Sequence, residues 1–160
     1  MTRFFPLEAP FDDRTTIFLH GVIDHHLQWR HEAMELIEKL DPGLSIANPY
    51  LVGQEQDAHS KKEHLHWQDH YLRKAQQFGA VLFWFPVDSE YRCHRDFLNR
   101  AILELGKWLY RMDHDANRVV VGGKLLTHSF TQTRHPKLVI YQTLPELCQA
   151  AVTLARSPIP

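Results

Sequence analysis

The stretch AVLFWFP at residues 80–86 decides the fold. Residues 80–85 are apolar at every position, which is typical of a parallel strand covered by helices on both faces. Pro86 then ends the strand, because proline has no N–H to donate to a neighbouring strand. The stretch therefore predicts the centre of a parallel sheet with a layer of helices on each side.

Four further short strands are predicted at residues 15–20, 44–48, 118–121 and 138–141. Helical spacing and helix start and stop signals predict helices at 27–40, 63–77, 97–112 and 144–156, with a polar loop at 50–62. Strands that alternate with helices predict an α/β fold. We expect a flavodoxin-like or Rossmann-like three-layer sandwich with a five-stranded, mostly parallel sheet.

The composition bounds the class of protein. The chain has 160 residues, 44% hydrophobic and 23% charged, which predicts one globular domain over residues 1–160 and excludes extensive disorder. A net charge of -1 argues against a nucleic-acid polymer as partner. The longest apolar run, residues 79–87, is about half as long as a membrane span. With no signal peptide at the start and only Cys93 and Cys148, we expect a cytoplasmic protein with reduced thiols.

Parallel sheets bind ligands at the carboxyl ends of their strands, near the point where the strand order reverses. The segments that follow the predicted strands are therefore candidate site loops. They are residues 21–24, 48–50 and 86–95.

The predicted helix 97–112 carries one carboxylate at the border of its apolar stripe. Glu104 lies about 60° around the helix from Ala101, so its side chain is partly sheltered yet able to face the strand ends. Gly106 lets a backbone or a ligand approach there. A solvated flank, paired with Lys107 or Arg100, is the alternative interpretation of Glu104. The stripe itself consists of Ala101, Ile102, Leu105, Trp108, Leu109 and Met112.

Five short motifs occur in a recognisable order: IFLHG at 17–21, WR at 29–30, NP at 48–49, LFWFP at 82–86 and ELG at 104–106. This series resembles the nucleoside 2-deoxyribosyltransferase family, in particular its divergent transferase-like branch, over residues 17–121. The resemblance implies a flavodoxin-like fold and a homodimer or larger oligomer. It also implies cleavage or transfer of the N-glycosidic bond of (deoxy)nucleosides or their monophosphates, without a cofactor.

The resemblance also implies roles for particular residues. Glu104 is the nucleophile, which attacks the anomeric carbon and forms a covalent glycosyl-enzyme. The departing base needs a proton, and relatives carry an acid on the helix before the third strand. Gln68 stands at that position here, so Asp69 becomes the candidate acid and His70 the alternative. One helical step turns a side chain by about 100°, which aims Asp69 differently from Gln68.

Substrate contacts are expected at the loops after two strands. Each candidate has a structural alternative: Gly21 also suits a tight turn, and Phe85, like Trp84, also suits core packing. Gln68 adds a contact from the helix. The remaining candidates are His20, Asp24, Pro86 and Asp88.

Two other functions compete with this enzyme. A nucleotide-binding or sensing module on the same fold is favoured by Gln68 in place of an acid. A metalloprotein is suggested by twelve histidines, of which His66 and His70 are four residues apart on a predicted helix, with His64 nearby. Trp67 occupies the position where a zinc protease needs its glutamate, so we expect no metal site.

Overall fold

The chain alternates strands with helices in a computed structural model, which describes residues 2–4, 15–21, 28–49, 58–86, 101–107, 118–123 and 138–158. The strands are β1 (Thr2–Phe4), β2 (Thr16–Gly21), β3 (Ser45–Ala47), β4 (Ala80–Trp84), β5 (Val119–Gly122) and β6 (Ile140–Tyr141). The helices are α1 (Gln28–Leu40), α2 (Ala58–Phe78), α3 (residues 101–107) and α4 (Leu144–Arg156).

The six strands form one sheet in the order β1-β3-β2-β4-β5-β6, and every described pairing is parallel. Without the edge strand β1, this is the flavodoxin-like order, in which the chain first steps one way from β2 to β3 and then returns past β2 to β4. The order therefore reverses between β2 and β4. Ligands of such sheets bind above the carboxyl ends of these two strands.

Helices cover both faces of the sheet, so the molecule has three layers. On the α1/α4 face, buried side chains of β2, β3 and β4 pack against α1 and α4. On the α2/α3 face, alternate residues of the same strands pack against α2 and α3. The α2/α3 face is built from Phe18, Ala47, Tyr71, Ala75, Val81, Phe83, Phe85, Ala101, Leu105, Val119, Val121 and Leu138.

The α/β sandwich and the five strands predicted from the sequence are confirmed, and α4 has the predicted bounds. Three details differ. The sheet has a sixth strand, β1, which pairs with β3 through only three residues and so left no readable alternation. Helix α2 begins at Ala58, where we predicted a loop up to residue 62. Ile102 is 41% exposed, because the contact of α3 with the sheet is centred on Ala101 and Leu105.

Polar side chains connect the ends of α1 and α4 at the edge of the sheet opposite the carboxyl ends of the strands. Asp41, just after α1, pairs with Arg156 at the end of α4 through a 2.6 Å contact, and its other oxygen accepts from the Gly43 N–H. Buried Arg118 donates to the Ser157 hydroxyl and carbonyl. These contacts join α1, α4 and the start of β5 into one rigid end.

No described helix combines the length and the apolar character that a membrane crossing requires.

Candidate functional site

The strands β2 and β4 pair side by side up to their carboxyl ends. Gly21 pairs with Trp84 in the sheet and has a φ of 140°. A Cβ at Gly21 would stand 2.3 Å from the Trp84 carbonyl oxygen, so no other residue fits without moving the strand. Gly21 therefore has a structural role at the point where the strand order reverses.

His20 lies beside Gly21 and is buried on the α2/α3 face. Its ring stacks on Phe83 with centroids 4.4 Å apart and tilts against Phe18 at 6.1 Å. Its Nδ1 accepts a 2.8 Å hydrogen bond from the Gly21 N–H. An accepting Nδ1 carries no proton, so in this arrangement the imidazole is neutral and its proton lies on Nε2.

A buried guanidinium joins the carboxyl ends of β2 and β3. Arg30, in the first turn of α1, is 3% exposed and donates from Nη1 to the Leu19 carbonyl at 2.8 Å and to Asn48 Oδ1 at 3.2 Å. It also lies over the Trp29 ring at 4.4 Å. Because Asn48 Oδ1 accepts from Arg30, the amide Nδ2 of Asn48 points away from the guanidinium.

Aromatic rings of α2 cover the α2/α3 face beside Phe18 of β2. Trp67 lies 4.7 Å from the Tyr71 ring and 6.4 Å from Phe18, between centroids. The indole Nε1 of Trp67 is buried and has no hydrogen-bond acceptor in the described part of the chain. Buried indole N–H groups usually have an acceptor, so this one is unusual.

Phe85 was predicted either as a base-stacking residue or as a core residue. It is fully buried, and its ring runs parallel to Phe83 at a centroid distance of 6.4 Å. Trp84, which points to the α1/α4 face, and Pro86 are only partly buried. Phe85 is therefore a core residue, which is the structural alternative given for it above.

The two acid candidates on α2 differ in orientation. Gln68 is half-buried, next to Trp67, on the side that packs towards the sheet. Asp69 is 60% exposed and pairs with Arg73 at 2.9 Å on the outer side of the helix. His70 is also exposed and contacts Tyr71 edge-on at 5.1 Å. Asp69 therefore lies on the outer side of α2, and the more buried of the two neighbours, Gln68, is an amide.

Glu104 lies at the edge of the α2/α3 face, as its spacing predicted. The flanking positions Ala101 and Leu105 are buried in the core, while the Glu104 side chain is 29% exposed. Its Oε1 accepts a 2.8 Å hydrogen bond from Lys107 Nζ, the solvated-flank partner that the sequence suggested. A Cβ at Gly106 would meet no described atom within 4 Å, so the helix surface beside Glu104 is open.

Several sequence predictions concern residues outside the described ranges. Asp24, Asp88 and Cys93 are among them. Among the described residues, no three His, Cys, Asp or Glu side chains come together as a metal site requires.

The second cysteine, Cys148, is buried on the α1/α4 face of the sheet. Burial, with a smaller contribution from Glu32, raises the pKa of the Cys148 thiol to about 12, so the thiol is protonated at neutral pH and a poor nucleophile.

Two site features were missed from the sequence. The link from Arg30 to Asn48 spans 18 residues, and only the predicted meeting of the strand ends hinted at it. The buried indole of Trp67 had a signal, because Trp67 and Tyr71 are four residues apart on one face of a helix. Nothing in the sequence predicts that its N–H lacks an acceptor.

No family model and no curated protein matches this chain.

Proposed function

We propose that this protein cleaves or transfers the N-glycosidic bond of (deoxy)nucleosides or their monophosphates, with Glu104 as the nucleophile. The fold supports this proposal because the order of the sheet reverses between β2 and β4. A small ligand of such a sheet binds above the carboxyl ends of these strands. The candidate contacts His20, Gly21 and Pro86 all lie there, and Gln68 faces the sheet from α2.

The observation that carries the proposal is the position of the Glu104 carboxylate. Buried Ala101 and Leu105 anchor the helix on both sides of Glu104, so the carboxylate is held at the rim of the α2/α3 face. A nucleophile must be fixed in direction and partly shielded from water, and a side chain 29% exposed beside two core positions meets both conditions. The Lys107 hydrogen bond holds Oε1, which leaves Oε2 as the attacking oxygen.

The proposed reaction proceeds in two steps. Glu104 Oε2 forms a bond to the anomeric carbon while the bond from that carbon to the base nitrogen breaks, and the base departs with the bonding electron pair. The transition state has oxocarbenium character. Water, or the ring nitrogen of a second base, then attacks the same carbon and releases Glu104 with net retention of configuration.

The departing base gains a proton in the first step. We do not assign the role of proton donor to Asp69, because its carboxylate lies on the outer side of α2. His20 is not a proton donor in this arrangement either. Its Nδ1 accepts from the Gly21 N–H, so the ring is neutral, and loss of the Nε2 proton would leave an imidazolate. We therefore propose that His20 and Gln68 bind the base by hydrogen bonds, and that the proton comes from solvent.

The experiment is chromatography of free base released from each of the common deoxynucleosides, ribonucleosides and their 5′-monophosphates. We expect release from at least one of them, and a loss of about 10³-fold or more in Glu104→Gln, because an amide is a far weaker nucleophile than a carboxylate. The matched control is Glu35→Gln. Glu35 is also a helical glutamate with a nitrogen-bearing side chain beside it, His31 at 3.2 Å, but it lies on the exposed surface of α1.

Three results separate the interpretations of this experiment. Equal loss in both variants would indicate a general effect of removing a carboxylate, and full activity in Glu104→Gln would exclude the proposed nucleophile. Absence of base release from every compound would overturn the enzyme altogether.

A nucleotide-binding or sensing module is the second candidate, and one observation favours it. Gln68 is half-buried on α2, at the position where the resemblance implies an acid. This function predicts that a nucleotide raises the melting temperature without base release. A ligand at 100 times its Kd adds about 2.7 kcal/mol to the free energy of unfolding, which a thermal shift readily detects.

We also propose a homodimer or larger oligomer. Neighbouring apolar side chains on α3 support it, since Leu103 is 68% exposed beside Ile102. Light scattering after size exclusion is the test. A dimer that dissociates in Leu103→Glu supports the proposal, and a monomeric wild type contradicts it.

A further inference from the structure

The buried Nε1–H of Trp67 is the polar group that the fold leaves unexplained. It is shielded from water and has no acceptor among the described residues. A buried donor without an acceptor costs about 1–3 kcal/mol of folding free energy. Such a cost is explained when the donor serves a bound molecule, because the hydrogen bond is then made only in the complex.

The level of Trp67 along the fold points to the same conclusion. Helix α2 ends at Phe78, and β4 begins two residues later, so α2 runs back along the sheet towards the carboxyl ends of the strands. Trp67 lies 11 residues before Phe78, which is about 16 Å along the helix at 1.5 Å per residue. Strand β4 spans only about 13 Å at 3.3 Å per residue. These lengths place Trp67 on the half of α2 nearer to the carboxyl ends of the strands. Its ring lies beside Phe18, two residues before His20 on β2.

The surroundings of the indole are aromatic. Trp67 packs near Phe18 and Tyr71, and Phe18 in turn lies beside His20, which stacks on Phe83. These rings make an apolar layer between α2 and strands β2 and β4. A hydrogen bond made within such a layer is stronger than one made in water, because the local dielectric constant is low.

We propose that Trp67 is a base-recognition residue, whose Nε1–H donates a hydrogen bond to a carbonyl oxygen or ring nitrogen of the bound nucleobase. This inference rests on the proposed function, since it takes a nucleoside as the ligand. It adds a specificity rule: a base must present an acceptor to the indole, and an analogue that replaces this acceptor by C–H binds more weakly. Stacking alone would not distinguish such analogues.

The test is an NMR titration of the intact ¹⁵N-labelled protein with nucleosides and 5′-monophosphates. Four tryptophans give four indole N–H signals. We expect the Trp67 signal to move downfield on binding, as a new hydrogen bond requires, and to move more than the other three. The signal is assigned by its loss in Trp67→Phe, or by elimination with variants of Trp29, Trp84 and Trp108 if that variant does not fold.

The variant Trp67→Phe tests whether Trp67 contacts the ligand, because a residue that only packs in the core would not change the affinity for a nucleoside. We expect it to bind the nucleoside about tenfold more weakly, with a melting temperature at or above that of wild type, because it removes a buried unsatisfied donor. The matched control is Trp29→Phe, the same change in a buried tryptophan on the α1/α4 face, where Kd should stay within about twofold.

Each outcome decides one claim. Nucleoside binding that leaves the Trp67 signal unmoved would overturn the inference. So would a Trp67→Phe variant with an unchanged Kd and a lower melting temperature. Neither result would contradict the proposed enzyme activity. Binding that moves the signal without any base release would support the inference and overturn the enzyme. A wild type that binds none of the compounds would overturn both.

Discussion

The α1/α4 face and the α2/α3 face cover the same strands with different kinds of side chain. On the α1/α4 face, the buried strand residues are mostly aliphatic, such as Leu19, Ile46 and Leu82, and they pack on leucine and alanine of α4. On the α2/α3 face, the strands present Phe18, Phe83 and other rings, and polar groups lie among them.

We propose from this difference that the α2/α3 face carries the function. An aliphatic core needs no specific partner and is stabilised by burial alone. Buried polar groups, by contrast, are costly unless they have a use. The neutral His20, the indole N–H of Trp67 and the half-buried Glu104 all belong to the α2/α3 side, which is where we propose the substrate binds. The α1/α4 side also holds a buried polar group, Arg30, but that guanidinium joins β2 to β3 through the Leu19 carbonyl and Asn48.

The largest expected effect on stability lies on the α1/α4 face. Leu147 of α4 is fully buried there, so Leu147→Ala should lower the free energy of unfolding by about 2–5 kcal/mol. Urea denaturation measures the loss. The Kd of the folded variant for a nucleoside should not change, and a changed Kd would contradict the division of roles between the faces.

A smaller effect is expected where Arg30 joins β2 to β3. Arg30→Met removes two hydrogen bonds from a buried guanidinium and should cost about 2 kcal/mol of unfolding free energy. Asn48→Asp is the comparison variant, since it gives the guanidinium a carboxylate and should be less destabilising than Arg30→Met. If urea denaturation shows that Asn48→Asp is the more destabilising of the two, Asn48 does not accept a hydrogen bond from Arg30.

The smallest expected effect concerns the pair that links α1 to α4. The hydrogen bond from Arg156 lowers the pKa of Asp41 below its ordinary value of 3.8. The pair therefore stabilises the fold fully above that value, and the contribution is lost as the pH falls through the lowered pKa. Both side chains are partly exposed, so Asp41→Asn should cost less than about 1 kcal/mol at pH 7.

Thermal denaturation across pH measures this contribution. The difference in melting temperature between Asp41→Asn and wild type should shrink as the pH falls below 4. A difference that persists unchanged into strong acid would mean that the ion pair is not its source.

Most of the fold could be predicted from the sequence because local signals agree with the final packing. The apolar run at Ala80–Trp84 and the capping of α4, where the Thr143 hydroxyl accepts from the Glu146 N–H, are readable without coordinates. Strand β1 could not be predicted from the sequence, because three residues show no alternation of apolar and polar positions and their pairing with β3 is a tertiary contact.

The site could be predicted only in part. Helical spacing gave the half-buried position of Glu104, and the rotation between Gln68 and Asp69 indicated that only one of them faces the sheet. The neutral state of His20 depends on the hydrogen bond that its Nδ1 accepts from the Gly21 N–H. The hydrogen bond from Arg30 to Asn48 depends on the order of the strands. Neither follows from residue type or spacing.

The most direct test of the account is the intact mass of the protein quenched in acid during turnover of a nucleoside. The account predicts a species heavier than the free protein by one sugar residue, with the added mass mapped to the peptide that contains Glu104 and absent from Glu104→Gln. Base release without any such species, or with the sugar on another residue, would contradict it.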